Sequence, residues 1–407
     1  MPKTIITISS LLLSIAILLM GNGLFTTLLT LRGALEGYSA GIIGIIMAMY
    51  FIGFIAGTFF CPKIIRRVGH IRTFTVMAAV ASCTVIVHGL YTNPYIWSFM
   101  RFVSGVCLVG IYMVIESWLN EQSSNQNRGM ILATYMLVML VALAAGQFLI
   151  IAADIGDLTL FAMAAGFFSM GLVPVALTRL PEPVLKSAID TRIKQTFKIS
   201  ELGFSGSMVA GILVGAFWSI GPLYALRIGL STGDIAIFMS AAILGGALLQ
   251  YPIGICSDRY NRRIILVGIS ILSSIIALIT IFVPPQHPYM MAACMFVYGG
   301  MMFSIYPVSI AHANDHPQSD DYISTSSNLL LVYGIGAVIG PVAGGLSMQF
   351  FGRYSLLFMF MIIGTGLAVF ALYWNRHGKE ISREDKTTFV PIVRTSPVVL
   401  IDIADND

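Results

Sequence analysis

The stretch "FVSGVCLVGIYMV", residues 102–114, recurs in altered form as "FVYGGMMFSIYPV", residues 296–308. At an offset of 194 residues (102 to 296), phenylalanine, valine, glycine, isoleucine, tyrosine and valine recur in register. Shared aliphatic residues arise easily by chance in apolar sequence, but shared glycine and tyrosine positions do so less readily. The recurrence therefore predicts a chain built from two copies of one structural unit.

The composition of the chain predicts a membrane protein. Of its 407 residues, 57% are hydrophobic and 10% are charged, whereas soluble domains average about 25% charged residues. Twelve segments, which we number 1 to 12 in chain order, are apolar over about the 20 residues that span a bilayer. They cover approximately residues 5–31, 40–61, 73–92, 96–118, 130–152, 158–178, 204–226, 234–255, 264–283, 289–311, 324–350 and 355–374.

A second alignment, at an offset of 192 residues, extends the repeat through segments 2 and 8. It pairs Gly41 with Gly233, Gly53 with Gly245, and Arg67 with Arg259. The predicted fold class is an all-α polytopic membrane protein with twelve transmembrane helices in two pseudo-symmetric six-helix bundles. The predicted domains are an N-terminal bundle (1–178), a cytoplasmic linker (179–203), a C-terminal bundle (204–375) and a cytoplasmic tail (376–407).

The distribution of basic residues predicts the orientation of the chain. All but four of the 23 lysines and arginines fall in the even-numbered loops or near the two ends of the chain; the exceptions are Arg32, Arg101, Arg227 and Arg353. Short loops rich in lysine and arginine stay in the cytoplasm. We therefore expect both termini in the cytoplasm.

The remaining composition narrows the partners of the protein. Its net charge of +4 is small, and its basic residues form no stripe interleaved with aromatics, so nucleic acid is not an expected partner. The five cysteines lie singly in apolar sequence, which is typical of packing residues and not of metal or redox sites. We expect a small-molecule solute and membrane lipid as partners, no cofactor or metal, and a monomer.

Loop 10-11 holds several metal-ligating residue types without a regular ligand spacing. They are His312, Asp315, His316, Asp320 and Asp321. We expect them to form an exposed polar loop.

The loop between segments 8 and 9, "GICSDRYNRR" (254–263), concentrates four charges in six positions. An acid there could meet a helix N-terminus, and arginines could meet helix C-terminal carbonyls and anionic lipid, which would form a clamp at the cytoplasmic face. The alternative is that the loop is basic only to fix the topology. The residues proposed for the clamp are Gly254, Asp258, Arg259, Arg262 and Arg263.

The equivalent loop of the first half, "PKIIRRVGHIR" (62–72), contributes Arg66, Arg67 and Gly69 to the same candidate gate. It has Arg66 where the second half has Asp258. If both loops hold the inner gate, we expect the acid to matter more than any residue of the first loop.

Two charged residues lie inside segment 4. Arg101 is about five residues inside it, where a buried arginine costs about 2.5–3.5 kcal/mol and usually faces a partner or a cavity; it could meet an anionic solute group, or it could extend to the outer interface past Trp97. Glu116 follows about 22 Å further along the helix axis. It is a candidate for proton coupling, with capping of the cytoplasmic end of segment 4 as the alternative.

Polar and aromatic residues at middle depths are candidates for the solute pathway, although each could equally serve helix packing. Besides Arg101 they are Asn22, Thr26, Tyr112, Gln147, Trp218, Tyr224, Tyr306, Asn328 and Tyr333. Segment 11 carries residues expected to let a neighbouring helix approach closely or to bend the segment. These are Gly336, Gly340, Pro341, Gly344 and Gly345.

Three of these motifs resemble those of the major facilitator superfamily. The loop 254–263 is similar to its signature G-x-x-x-D-R-x-G-R-[RK], with Asn261 in place of the second glycine; "RFVSG" (101–105) is similar to its helix-4 motif R-x-x-x-G. "GAVIGPVAGG" (336–345) has the spacing of its antiporter signature, although exporters carry that signature on helix 5. Together with "ESWLNEQSSNQNRG" (116–129), the layout resembles most closely the YcaD-like bacterial branch.

The resemblance implies a secondary active transporter in the inner membrane of a bacterium. It would move a small organic solute by alternating access, coupled to protons or another ion. Arg101 favours an anionic solute. Other interpretations are a proton-driven drug or metabolite exporter, a non-transporting scaffold or receptor, and a membrane-embedded enzyme. An enzyme is not expected, because the segments almost lack convergent nucleophile, acid and base groups.

Overall fold

The computed structural model describes residues 2–123, 128–177, 196–197, 199–315 and 322–377, and within them the chain is helical, without strands. Twelve helices are long and apolar enough to cross a membrane, which confirms the predicted fold class. We label them α1 Pro2–Leu35, α2 Ala40–Val68, α3 His70–Leu90, α4 Pro94–Glu121, α5 Arg128–Phe148, α6 Thr159–Met170 continued by Leu172–Ala176, α7 Glu201–Ile228, α8 Thr232–Arg259, α9 Arg262–Phe282, α10 Pro288–Asn314, α11 Tyr322–Phe351 and α12 Ser355–His377.

Residues 179–195 of the predicted linker and 378–407 of the predicted tail lie outside the described residues, so the four domain boundaries stay predictions. The described helices fall into two compact units. One consists of the chain up to Tyr38 and from Met49 through α6, and the other of Ser39–Ala48 and α7 through α12.

Polar side chains start several helices, because backbone groups inside hydrocarbon need partners. Asn93 accepts hydrogen bonds from the first amides of α4, and Ser200 and Ser231 do the same for α7 and α8. Gly69, between α2 and α3, has φ of 86°, a conformation that glycine adopts without a steric penalty. These short connections allow consecutive helices to pack side by side.

The helix bounds repeat with the offsets found in the sequence. Ala40 and Thr232 start α2 and α8, and Pro94 and Pro288 start α4 and α10. Close contacts of glycines repeat as well. At three matched pairs of glycines, an added side chain would collide with the equivalent backbone carbonyl of a neighbouring helix in each half. The matched contacts are Gly53 with Phe102 and Gly245 with Phe296, Gly105 with Tyr50 and Gly299 with Ala242, and Gly146 with Met20 and Gly340 with Ile212.

Within the first unit, α1 packs against α5 and α6, and α3 packs against α4 and α6. Within the second, α7 packs against α10, α11 and α12, while α9 packs against α10 and α12. The first turns of α2 belong to the second unit, where the Gly41 amide donates to Gln349 Oε1 at 3.2 Å. Among the described helices of the first unit, α4 has the largest share of buried residues, so its polar side chains are largely shielded by protein.

Candidate functional site

One face of α4 carries the polar side chains that define the site in the first unit. Tyr112 and Glu116 follow Arg101 by 11 and 15 residues, which places them within about 60° of it around the helix. All three are buried, with 2%, 5% and 0% of the surface of Arg101, Tyr112 and Glu116 exposed. This stripe runs about 22 Å along the helix axis.

Arg101 lies among aromatic rings. Its guanidinium carbon is 4.9 Å from the centre of the Tyr50 ring and 5.3 Å from that of Phe25, distances at which a cation is attracted to a ring face. Its Nε and Nη1 are buried and have no hydrogen-bond partner among the described residues. Arg101 is thus a buried cation with two donors available to a ligand.

The alternative for Arg101, extension to the outer interface past Trp97, is wrong in this structure. Both side chains are almost completely buried, with 2% and 1% exposed. The Trp97 indole instead donates to the carbonyl of Tyr91 at 2.6 Å. Packing by α1 and α2 covers the arginine, which segment-by-segment hydropathy does not reveal.

Sequence reasoning missed the neighbours of Arg101 on α3. His88 is fully buried, its Nδ1 lies 2.6 Å from the Thr84 carbonyl, and its ring is 5.2 Å from Phe25. The hydroxyls of Thr84 and Ser104 share a hydrogen bond of 2.8 Å. The sequence does show His88 as a histidine within an apolar segment, which could have marked it as a candidate. It does not show which neighbouring helix the side chain contacts.

The cytoplasmic half of α4 holds a second polar group. Tyr135 Oη donates to Glu116 Oε1 at 3.2 Å. One turn further on, the amide of Asn120 is 5% exposed, and neither of its polar atoms has a hydrogen-bond partner among the described residues. Aromatic rings occupy the space between Arg101 and Glu116, with Phe54 at 6.1 Å from Tyr50 and 6.2 Å from Tyr112.

Gln147 joins α5 to α1. Its Nε2 donates to the Gly23 carbonyl at 3.0 Å, and its Oε1 accepts from Thr27 at 2.5 Å. Thr26, directly before Thr27 on α1, is buried, and Asn22 is half-buried. The amide of Gln147 is therefore engaged in helix packing, and of these candidates Asn22 retains the more accessible side chain.

The candidates in the second unit form aromatic contacts. Tyr306 and Tyr333 lie 4.8 Å apart, and Trp218 lies 6.4 Å from Phe303. Tyr224 lies 6.1 Å from Phe238, and Asn328 is fully buried. This set contains no ionised side chain, in contrast to the α4 face of the first unit.

The glycines of α11 are packing positions. Gly336 and Gly340 face the α7 carbonyls of Met208 and Ile212, where a side chain would collide. Gly344 lies near Leu356, and Gly345 faces the Ala40 carbonyl. The three helices of this unit that carry pathway candidates, α7, α10 and α11, each contain a proline. These are Pro222, Pro307 and Pro341.

The loop between α8 and α9 forms an ion-pair network. Arg262 Nε lies 3.1 Å from Asp315 Oδ2, and its Nη2 lies 3.3 Å from Asp258 Oδ1. Arg263 Nη1 donates to the Trp374 carbonyl near the end of α12 at 3.1 Å. Arg259 is exposed, and Gly254 is buried in the last turns of α8.

The expectation of an exposed polar loop 10-11 is wrong for His312 and Asp315. Both are buried, with 5% and 3% exposed, because α10 continues to Asn314 and Arg262 pairs with the acid that follows it. His316, Asp320 and Asp321 lie outside the described residues. Among the side chains that are described, no group of three or more His, Cys, Asp or Glu could hold a metal ion.

The matching loop of the first unit lacks this arrangement. Arg66 and Arg67 are exposed, and the position that corresponds to Arg262 is occupied by His70, whose ring lies 5.7 Å from that of Trp118. The two loops therefore differ in backbone as well as in charge, since Gly69 has φ of 86° and the matching Asn261 has φ of −62°.

In the part of the chain that the structure describes, twelve helices long and apolar enough to cross a membrane repeat a six-helix pattern, which is the architecture of a polytopic membrane protein. Residues 11–203 and 203–403 each match the sequence profile of the Major Facilitator Superfamily, and the chain belongs to this family. It is a secondary transporter, and its family is not a class of enzymes.

Relatives place the chain in one branch of the family. It is 27% identical over 381 residues to the "Uncharacterized MFS-type transporter YcaD" of Salmonella arizonae, which covers 92% of this chain and 96% of that protein. The YcaD protein of Escherichia fergusonii is 28% identical over 386 residues, covering 94% and 97%.

Solved structures of transporters share the fold at low sequence identity. The nucleoside transporter NupG has a TM-score of 0.76 with 13% identity, over 93% of this chain and all of that one. A bacterial homolog of the human lysosomal transporter Spinster, in an inward-facing and unoccupied conformation, has a TM-score of 0.71 with 12% identity, over 95% and 99%. At this identity the likeness concerns the fold alone.

Proposed function

We propose that the protein moves a small organic anion across the inner membrane of a bacterium by alternating access. The observation that carries the proposal is Arg101, a buried cation with two guanidinium nitrogens that have no hydrogen-bond partner among the described residues. Charged side chains within membrane segments are costly and mark solute or ion pathways. An anionic group of the solute would supply the missing acceptors.

Proton coupling is the second part of the proposal, and Glu116 is its candidate residue. A fully buried carboxyl that accepts a hydrogen bond from Tyr135 is placed to gain and lose a proton as the solute moves. Its position on the same α4 face as Arg101 gives both groups access to one pathway.

The orientation and the inner gate complete the proposal. Basic loops on one side support cytoplasmic termini. The network of Arg262 with Asp258 and Asp315, and the bond from Arg263 to the end of α12, would hold the inner ends of α8, α9, α10 and α12 together. Single cysteines introduced into odd- and even-numbered loops, labelled from outside intact cells, test the orientation.

The anion site is tested by flux in proteoliposomes with a panel of organic anions and cations, with and without a pH gradient. We expect Arg101→Ala to reduce transport of the identified anion at least about 100-fold, since it removes a charged ligand contact. Met295→Ala, at the matching position of α10, serves as the control and should retain transport. Full transport by Arg101→Ala would show that the anion does not bind there.

The coupling residue is tested in the same vesicles. We expect Glu116→Gln to abolish accumulation driven by a pH gradient while exchange of the solute continues, because the amide keeps the shape but carries no exchangeable charge. Unchanged pH-driven accumulation would remove Glu116 from the coupling mechanism.

A proton-driven exporter is the second candidate, favoured by the glycine–proline pattern of α11 and the matching close contact of Gly146 on α5. Vesicles with the protein inserted in one known direction distinguish the two. Accumulation only on the side corresponding to the outside identifies an exporter.

A further inference from the structure

The connection between α2 and α3 carries an exposed group of cations that we call the basic patch: Lys63, Arg66 and Arg67 of α2 and Arg72 of α3. Lys63 and Arg67 are four residues apart on α2 and therefore lie on one side of that helix. Gly69 alone separates the two helices, so Arg72, on the first turn of α3, follows Arg67 after only a tight turn. The basic patch is thus a compact feature at one end of the helix pair.

The charge of the basic patch is not compensated by its own part of the chain. No aspartate or glutamate occurs between Glu36 and Glu116. Within the described ranges, Lys63, Arg67 and Arg72 form no ion pair, unlike Arg32 and Arg262. An external anion would therefore meet a concentrated positive charge here.

Exposed apolar side chains accompany the cations on both helices. Phe60 is 58% exposed and lies two helical turns, about 10 Å, before Arg67 on α2. Val76 is 56% exposed and lies one turn after Arg72 on α3. Both apolar residues lie toward the middle of their spans, so they face acyl chains where the cations at the helix ends face headgroups. A free phosphate would use the cations alone, whereas a phospholipid would use both parts of this surface.

The matching loop of the second half shows that topology alone does not account for this exposure. The positions that match the four members of the basic patch hold one cation and one acid between two isoleucines, namely Ile255, Asp258, Arg259 and Ile264. The remaining arginines of that loop, Arg262 and Arg263, are buried and bind Asp315 and the Trp374 carbonyl. Topology depends on the number of basic residues in a loop, which both loops supply. Only the first loop keeps all of them at the surface.

We propose that the basic patch binds the headgroup of an anionic phospholipid, with the phosphate on the cations and the acyl chains against Phe60 and Val76. Each lysine or arginine near an anionic membrane surface strengthens binding about fivefold. In the proposed orientation the lipid belongs to the cytoplasmic leaflet. This inference is independent of the anion transport proposed for Arg101.

The test measures binding of the first lipid molecule to the purified full-length protein. Native mass spectrometry at graded lipid concentrations compares phosphatidylglycerol and cardiolipin with phosphatidylcholine of the same acyl chains. We expect at least one of the two anionic lipids to bind about 10- to 100-fold more tightly than phosphatidylcholine, as several cations acting together would produce. Glycerol phosphate carries the headgroup charge without acyl chains, and it should not displace the lipid even in about 100-fold excess.

Variants locate the preference. We expect the combined substitutions Lys63→Gln, Arg67→Gln and Arg72→Gln to abolish it, and Arg67→Gln alone to weaken binding of the anionic lipid about fivefold. Arg259→Gln removes one exposed cation at the position that matches Arg67, and as the control it should weaken binding less than about twofold. Cysteine labelling from outside intact cells checks that each variant keeps its orientation. The single variant keeps the test decisive if the combined variant does not insert.

Four results would overturn the inference. Phosphatidylcholine could bind as tightly as both anionic lipids, or the preference could survive both variants of the basic patch. Equal losses in Arg259→Gln and Arg67→Gln would indicate attraction by net charge alone, and displacement by glycerol phosphate would indicate a site for small soluble anions. Arg101→Ala should leave lipid binding unchanged, so failure of the proposed anion transport and failure of the lipid site are separate outcomes.

Discussion

Arg101 and Arg262 are both buried arginines with 2% of their surface exposed, and they differ in what surrounds them. Arg262 lies between two carboxylates, Asp315 at 3.1 Å and Asp258 at 3.3 Å. Arg101 lies between the rings of Phe25 and Tyr50. The comparison teaches that burial alone does not mark a binding site: the charge of Arg262 is compensated within the chain, whereas that of Arg101 is available to a ligand.

The largest expected effect is on the free energy of unfolding. Replacing Arg262 should lower it, whereas replacing Arg101 should leave it unchanged or raise it. We expect Arg262→Met to destabilise the protein by about 3–5 kcal/mol, because it leaves the Asp315 carboxylate buried without its cation. Arg101→Met removes a buried charge that no described acid compensates, and should leave the protein as stable as before or more so. Unfolding of both variants in mixed micelles, followed by tryptophan fluorescence, measures the difference.

The structure would have to be reinterpreted if both substitutions destabilised the protein equally. In that event Arg101 would contribute to folding through its ring contacts, and its role as a ligand site would lose its main support. Met295→Leu, a substitution of similar size at the position of α10 that matches Arg101, controls for packing changes.

A second matched pair lies at the inner ends of α4 and α10. Asn314 Nδ2 donates to Ser326 Oγ at 3.1 Å, whereas the amide of Asn120 has no hydrogen-bond partner among the described residues. The position that matches Ser326 is Leu132. We expect Asn314→Leu to destabilise the protein by about 1–3 kcal/mol and Asn120→Leu to stabilise it by a similar amount. The same unfolding measurement applies, and destabilisation by Asn120→Leu would point to a partner for its amide that holds the fold together.

The sequence predicted the features that are local along the chain. Twelve helices follow from hydropathy, and the two offsets of the repeat reappear in the helix bounds and in the contacts of Gly53 and Gly245. Arg101 and Arg262 are recognisable in the sequence as charges within or beside apolar segments. Each of these features can be recognised from a stretch of sequence about as long as one helix.

Partners that are distant in sequence could not be predicted. Asp315 follows Arg262 by 53 residues (262 to 315), in a loop whose composition favoured exposure, and its burial depends on where α10 ends. Gln147 was a pathway candidate as a polar residue at middle depth, and the structure pairs its amide with α1. The approach of His88 and Arg101 to the same Phe25 ring likewise depends on how α1, α3 and α4 pack together.

The smallest expected effect concerns the two carboxylates of the inner network. The side chain of Asp258 is 35% exposed and that of Asp315 is 2% exposed. A solvated pair contributes about 0–1 kcal/mol and is weakened by salt, so Asp258→Asn should lower the stability by less than about 1 kcal/mol, and less still at high ionic strength. Asp315→Asn should cost more at every salt concentration, because it removes the buried counter-charge of Arg262. Equal losses for the two variants would mean that Asp258 becomes buried in a conformation that the protein also adopts, which is the behaviour expected of the acid in an inner gate.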